Sequence, residues 1–324
     1  MEVCPACNSR KTQQLINWGK YDIIRCENCR LTFCAPLPLD SELTSFYQGF
    51  MFQKPEAYEI DRKVKRKKKE LIRLFQLKEN KTDWSLGKKF LDFGAGTGIA
   101  YKAACELGFE CYYQDLDNEA KDFTIKNFGL QSKNIIEDIE SCDKKFDLIF
   151  SDNVIEHVKT PFTFIENLLN LLNDGGQLVI KSPHSGNTET YFNPMISINK
   201  YLFTALKYNS IKMTFRGFLK RFWHCDPPRH LYSFSKDSFK YLVEKSKHVG
   251  ISHEILYYRT SWFSNTVTKR FFSRDKKKSP LKSIVIRLLV WPIILIEGIL
   301  QVFQKVLLSL GLLSPAGIIF KVYK

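Results

Sequence analysis

The apolar positions of this chain change their spacing along its length, and from Lys89 onward two spacings alternate. Phe90-Leu91-Asp92-Phe93 reads as a short buried strand and Ile99–Leu107 as a helix, and Glu110–Gln114 with Asn118–Phe128 repeats the pair. Asn134–Ile136 is expected to be a third strand and Phe146–Ser151 a fourth, followed by a helix from about Thr160 to Leu172. Asn173-Asp174-Gly175-Gly176 carries the turn residues that end a helix, and Gln177–Ser182 is a fifth strand. Helix Ser235–Lys247 and strand Ile251–Tyr258 resume the pattern, and Gly317–Tyr323 closes it. Strands alternating with helices predict an α/β fold, a parallel sheet covered on both faces.

The segments outside this alternation divide the rest of the chain. Residues 1–38 are punctuated by cysteine and closed by Pro36 and Pro38, so they form a small module. Residues 39–88 are a helical lead-in, where Leu71, Leu74, Phe75 and Leu77 give an apolar face beside a basic block. The alternating domain covers 89–260. Within it, residues 187–228 are aromatic-rich, too long for a plain connection, and expected to lie over the site. Residues 261–314 hold a basic segment and an apolar helical hairpin, and 315–324 the last strand.

The hairpin is strongly apolar but interrupted by Arg287, Pro292 and Glu297, and later by Gly311. It offers no clean run of about 18–20 residues, so it is not expected to span a membrane. It suits an amphipathic hairpin lying in one leaflet, or else a packed core hairpin or dimer contact.

Charge sharpens this picture. The 324 residues carry a formal charge of +15, with 44% hydrophobic content typical of a chain with a true core. One basic block runs from Arg62 to Lys69, and a second covers Lys269, Arg270, Arg274, Lys276, Lys277, Lys278 and Lys282. Such blocks attract nucleic acid or an anionic membrane, although a basic run is also an ordinary solvated helix face. Met1-Glu2-Val3-Cys4-Pro5 has no basic start followed by an apolar run, so the expected location is cytoplasmic, peripheral on the inner face of the membrane.

Nine cysteines make a poor disulfide framework, but four of them form two C-x-x-C pairs: Cys4 with Cys7, and Cys26 with Cys29. Each pair can sit on a tight turn with both sulfurs aimed the same way. Two such turns complete a tetrahedral thiolate site, expected to hold a structural zinc ion because no coordination position stays open. An iron–sulfur cluster suits a ribbon of this shape less well.

Leu91-Asp92-Phe93-Gly94-Ala95-Gly96-Thr97-Gly98 runs from a strand into a helix. The spacing G-x-G-x-G differs from the G-x-G-x-x-G of a pyrophosphate site. Asp92, before the first glycine, would repel a pyrophosphate but suits a ligand carrying an ammonium and a sulfonium. Asp115, at the end of the second strand, can accept hydrogen bonds from both hydroxyls of a ribose, while Asp117 caps the next helix.

Taken together, Leu91–Gly98, Asp115, Phe146-Asp147-Leu148-Ile149, Val154-Ile155-Glu156-His157-Val158, Asp174–Ile180 and Ser182-Pro183 resemble the small-molecule class I methyltransferases. The branch is similar to the ubiquinone-type enzymes and to the sugar methyltransferases of surface-polysaccharide pathways, some of which carry an N-terminal cysteine ribbon. The resemblance covers roughly residues 85–260 and the last strand, and Pro228–Ser235 also matches a segment of that branch. It implies a Rossmann-like sheet of seven strands with the last one antiparallel, and S-adenosylmethionine as cofactor. Asp92, Gly94, Ala95, Gly96, Gly98 and Asp115 are the implied cofactor-binding residues. Asp138 and Ile139 are implied on the adenine side, Asp152 and Asn153 at the methionine end. Where the family usually has Asn after the Ser/Thr-Pro, this chain has His184.

Methyl transfer needs an aligned nucleophile and, for an oxygen or nitrogen acceptor, a base that titrates near neutrality. His157, His184 and His230 are the candidates, each at or near the C-terminal edge of the sheet, and Arg229 beside His230 could bind an acidic acceptor group. The expected acceptor is a small molecule, sugar or lipid-linked glycan. The competing expectation is an RNA methyltransferase that holds nucleic acid with its ribbon and basic blocks. Ser151-Asp152-Asn153-Val154 lacks the Pro-Pro-aromatic of many base-amino methylases, which counts against it. A non-catalytic ribbon on a degenerate fold is disfavoured by the intact glycine loop, Asp115 and Asp138.

Overall fold

The computed structural model describes residues 2–48, 55–77, 85, 87–185, 187–189, 224–246, 248, 250–258, 299 and 302–324. The chain divides into two compact units. The first comprises Met1–Ser185, His224–Leu256 and Ile318–Lys324; the second comprises Gly186–Trp223 and Tyr257–Gly317.

The first unit begins with a small antiparallel sheet of β1 (Thr12–Trp18), β2 (Tyr21–Cys26) and β3 (Thr32–Ala35). Helices α1 (Asp40–Gln48) and α2 (Ala57–Leu74) follow. The larger sheet is built from β4 (Lys89–Phe93), β5 (Glu110–Gln114), β6 (Phe146–Asp152) and β7 (Leu172–Pro183), joined through α3 (Ile99–Cys105), α4 (Asn118–Phe128) and α5 (Pro161–Asn170). The last elements are β8 (Tyr232–Ser233), α6 (Lys236–Glu244), β9 (Ser252–Tyr258) and β10 (Gly317–Tyr323).

The larger sheet has the order β5-β4-β6-β7-β10-β9, with β4 parallel to both β5 and β6, and β6 parallel to β7. Lys324, just past β10, exchanges backbone hydrogen bonds with Gly175 and Gly176 near the start of β7. The last strand therefore runs antiparallel between β7 and β9, as expected. The same bonds absorb Asn173–Gly176 into β7, which starts five residues earlier than its apolar run suggested.

One expected strand is missing. Asn134–Ile136 contributes a single parallel bridge, Tyr113 to Ile135, after a short 3₁₀ turn at Ser132–Asn134. Three residues flanked by polar positions present too little backbone to extend the ladder, so among the described residues the sheet has six strands where seven were expected.

The core forms where apolar faces meet. Val64, Leu71, Leu74 and Phe75 of the α2 region are buried, and Phe75 meets Phe90 and Phe150 edge to face at 6.1 and 6.5 Å. Side chains of this size each contribute about 1.5–3 kcal/mol on burial, so α2 is held to the sheet as firmly as a sheet helix. On the other flank Phe239 of α6 stacks on Phe320 of β10 at 4.9 Å. Asp117 caps α4 by accepting from the amides of Glu119 and Ala120, the role its position suggested.

In the second unit residues 302–309 are helical, and Glu189 is buried, its Oε2 accepting the Ala316 amide at 2.8 Å. Buried Gln304 donates to the Glu189 carbonyl at 3.4 Å. Ile299, Val302, Phe303, Val306 and Leu310, which share the opposite face by their spacing, are exposed. Most of the insertion, the basic segment 269–282 and the first half of the apolar hairpin lie outside the described residues.

Candidate active site

The glycine loop leaves β4 and enters α3. Gly94, Gly96 and Gly98 all have positive φ, a backbone region that costs any residue with a Cβ. At two of them space is also closed: a Cβ would lie 2.2 Å from Val154 Cγ2 at Gly94 and 2.5 Å from Thr124 Cγ2 at Gly98. At Gly96 it would meet nothing within 4 Å. The loop is thus packed behind its first and third glycines and open beside the second, which leaves room for a ligand against its backbone.

Two carboxylates brace this loop. Asp92 is buried and accepts the Tyr101 amide at 2.7 Å, and burial pushes its carboxyl up to about 7. It therefore ties β4 to α3, a bond the sequence does not announce. Asp115 accepts the Gly96 amide at 2.6 Å on one oxygen and the Asp117 amide at 2.8 Å on the other, with burial raising its pKa. Each oxygen keeps a second lone pair for a ribose hydroxyl. Asp138 is exposed, accepts the Glu140 amide at 3.0 Å, and is lowered in pKa by that bond; Ile139 beside it is half-buried.

Asp152 ends β6 in a setting that was not foreseen. Its Oδ2 lies 2.8 Å from Lys67 Nζ and 2.9 Å from Lys181 Nζ, and both lysines also contact Glu70, at 2.8 and 2.7 Å. Burial opposes charge on these groups, but mutual attraction outweighs it. Asp152 and Glu70 fall below the usual carboxylate range, and Lys67 is pushed up to about 12. Lys67 belongs to the basic block expected to face solvent or a polyanion; instead it clamps α2 to the strand end. Arg62, Lys65, Arg66, Lys69 and Arg73 remain exposed as one stripe along α2. Asn153, with φ of 59°, donates to Asp152 Oδ1 at 2.9 Å.

The next residues carry the titratable cluster. Glu156 is buried, its Oε2 3.3 Å from the Ser182 hydroxyl and its Oε1 without a hydrogen-bond partner among the described residues, and burial pushes its carboxyl up to about 8. His157 Nδ1 donates to the Arg229 carbonyl at 2.8 Å, and burial lowers its pKa to about 4. Its ring stands 4.8 Å from that of His230. His230 Nδ1 is 3.0 Å from Asp226 Oδ1, and Arg229 Nη2 lies 3.3 Å from both Asp226 oxygens. Two of the three candidate histidines are thus brought together. His184 is tied through its backbone, by a parallel bridge to Phe234. Asp226 had not been singled out, although Asp-Pro-Pro-Arg-His places it four residues before His230.

The four ribbon cysteines also converge. Cys4 Sγ is 3.5 Å from Cys29 Sγ, Cys7 Sγ is 3.6 Å from Cys26 Sγ, and all four sulfurs lie within 4.8 Å of one another. Tetrahedral zinc with Zn–S of about 2.3 Å places sulfurs about 3.8 Å apart. The donor set fits such an ion, and the hydrogen bond from Cys29 lowers the Cys4 thiol to about 5.

Residues 58–246 match the family of the methyltransferase domain. The chain belongs to that family. Within this methyltransferase, 116 residues are 30% identical to the ubiquinone biosynthesis O-methyltransferase of Glaesserella parasuis serovar 5 (strain SH0165), covering 32% of this chain and 48% of the relative. The chain thus spans about half the length of the curated relative it matches. Among solved structures, the plantazolicin methyltransferase BpumL in complex with SAH is similar with 16% identity and a TM-score of 0.41, over 88% of this chain and 89% of that one. A SAM-dependent methyltransferase from Archaeoglobus fulgidus is similar with 17% identity and a TM-score of 0.44, over 83% and 100%. Among the described residues, no helix of this methyltransferase is long and apolar enough to cross a membrane.

Proposed function

We propose that this methyltransferase moves a methyl group from S-adenosylmethionine to an oxygen or nitrogen of a small-molecule acceptor, a sugar or lipid-linked glycan, with His230 as base. The observation that carries the reading is a chain of contacts. Val154 closes off Gly94, and three residues on His157 meets the His230 ring, which Asp226 holds. The cofactor loop and the Asp226–His230 pair therefore share a wall.

When bound, S-adenosylmethionine supplies a methyl already activated on sulfur. The backbone of Gly94–Gly98 and the carboxylate of Asp115 would hold it, with Asp138 and Ile139 toward the adenine and Asn153 toward the methionine end. Asp226 holds the proton on His230 Nδ1, which leaves Nε2 with a lone pair for the acceptor proton. His157, whose pKa burial lowers to about 4, stays neutral at pH 7 beside the imidazolium that forms, while the Arg229 guanidinium lies 3.5 Å from His230 Nδ1 and is offset by Asp226.

The exposed apolar face of 302–309 supports contact with a membrane surface, where a lipid-linked acceptor would be presented; by itself, the basic stripe of α2 suits a polyanion such as anionic lipid. That stripe equally suits RNA, the alternative acceptor class.

Calorimetry with S-adenosylmethionine tests the reading. Binding is expected, and Gly96→Arg, which fills the open side of the loop, should abolish it. Asp115→Ala should weaken it at least about tenfold, for two charged hydrogen bonds to hydroxyls. Undiminished binding by Gly96→Arg would remove the loop from the cofactor site.

A further inference from the structure

The cysteine ribbon was expected as a module of its own, yet its sheet is finished by the segment that carries the histidine. Thr32 and Phe33 of β3 pair with Ser233 and Tyr232 of β8, so the four-strand order is β1-β2-β3-β8. Cys34 donates its amide to the Leu231 carbonyl at 3.0 Å. The Ser235 hydroxyl donates to the carbonyl of Cys29, itself one of the four thiolate residues, at 2.6 Å, and accepts the Ser238 amide in the first turn of α6. Thr32 also meets Ser185 at 2.8 Å between hydroxyls, and Ser185 donates its amide to the Phe234 carbonyl at 2.7 Å. From the other side, Leu231 donates to the Glu156 carbonyl at 2.8 Å.

We infer that the four-thiolate site of Cys4, Cys7, Cys26 and Cys29 is a positioning device for the active-site segment 225–235, holding His230 against His157 and Asp226. Segment 225–235 has only a two-residue strand, which is too short to hold its own geometry. Beyond its bonds to Glu156 and Ser185, its order comes from β3 and from the Cys29 turn, and the metal would hold that turn. Without the ion, four thiols, three of them buried, would have to share the space by hydrogen bonds alone, and the turn at Cys26–Cys29 would lose its anchor. The cofactor loop leans on Asp92, Asp115, Val154 and Thr124 and makes none of these ribbon contacts. The consequence is selective: metal loss should disorder the acceptor side while the cofactor side persists. With His230 read as the base, as proposed above, the metal then controls turnover from a distance without touching either reactant.

Hydrogen exchange on the full chain tests this without any acceptor. Zinc-loaded protein is compared with protein stripped by a chelator and then reloaded. Exchange across 225–235 should quicken about tenfold or more on stripping, and reverse with zinc, as expected for a locally opened segment. The loop at 94–98 should keep its protection, and S-adenosylhomocysteine should bind with unchanged affinity. Full protection of 225–235 in stripped protein would overturn the inference. Should stripping unfold the whole chain, Ser235→Ala and Thr32→Val decide instead, since both keep all four thiolates. Faster exchange confined to 225–235 with zinc retained supports the coupling, and unchanged exchange overturns it. Loss of the base assignment is read separately, as undiminished turnover in His230→Asn, and leaves the exchange result standing.

Discussion

At the scale of single residues, the cluster after β6 divides labour among groups of similar chemistry. Asp226 orients the His230 ring, so Asp226→Asn should lower turnover about a hundredfold or more while leaving cofactor affinity intact, the usual range for a displaced general base. A loss confined to cofactor binding would contradict this. Glu156 makes a different prediction. Its carboxyl is raised from 4.5 to about 8 in the folded chain, so the folded state holds a proton that the unfolded state releases across that interval. Wild-type stability from this group is therefore full below about pH 4.5 and is lost as pH rises toward 8. Glu156→Gln keeps the neutral shape, and its melting temperature relative to wild type should climb between pH 5 and 8; a flat difference would show that Glu156 ionises freely. The sequence disclosed the residue types here better than their roles. His157 and His230 were visible as histidines near a sheet edge, but their contact joins positions 73 residues apart in an irregular segment, which no periodicity reports.

At the scale of elements, the strands and helices from β4 to β7 were legible because each carries its own apolar period and its own turn residues. The α2 clamp was less so. Val64, Lys67, Leu71 and Leu74 follow a 3-4-3 spacing, so Lys67 stands on the buried stripe of the helix, a signal hidden inside a run of eight residues with seven bases. Removing it leaves Lys181 as the one cation facing Glu70 and Asp152 among the described residues. Lys67→Met should therefore destabilise the chain by about 2 kcal/mol, less than for a fully buried pair because about a sixth of the Lys67 side chain is exposed. Adding Glu70→Gln should recover part of that loss, and chemical denaturation of the two variants measures both effects. In the loop, Gly98→Ala combines a positive φ with the Thr124 clash. It should weaken cofactor binding and lower the melting temperature together, whereas Gly175→Ala, with open space around it, should leave cofactor affinity alone.

For the whole molecule, two features remain after the sheet and its site are accounted for: a cysteine ribbon and an outward-facing apolar helix. Metal analysis of protein purified without chelator should give about one zinc per chain, and Cys26→Ser should lose it. Sedimentation with vesicles addresses the helix. Binding should require anionic lipid, fall with added salt, and weaken when Val302, Phe303 and Val306 are replaced by Ser; indifference to anionic vesicles at low salt would point to a protein contact at that face. The pairing of β3 with β8 carries a consequence of another kind, for synthesis on the ribosome. Thr32 meets Ser233 only after some 200 further residues have been made, which at about 5–20 residues per second takes roughly 10–40 s. Through that interval the nascent ribbon displays a bare apolar edge strand, a template for the wrong neighbour. Early capture of metal would keep the hairpin folded but would not cover that edge, so the yield of native chains should depend on a chaperone shielding the nascent chain more than on zinc supply.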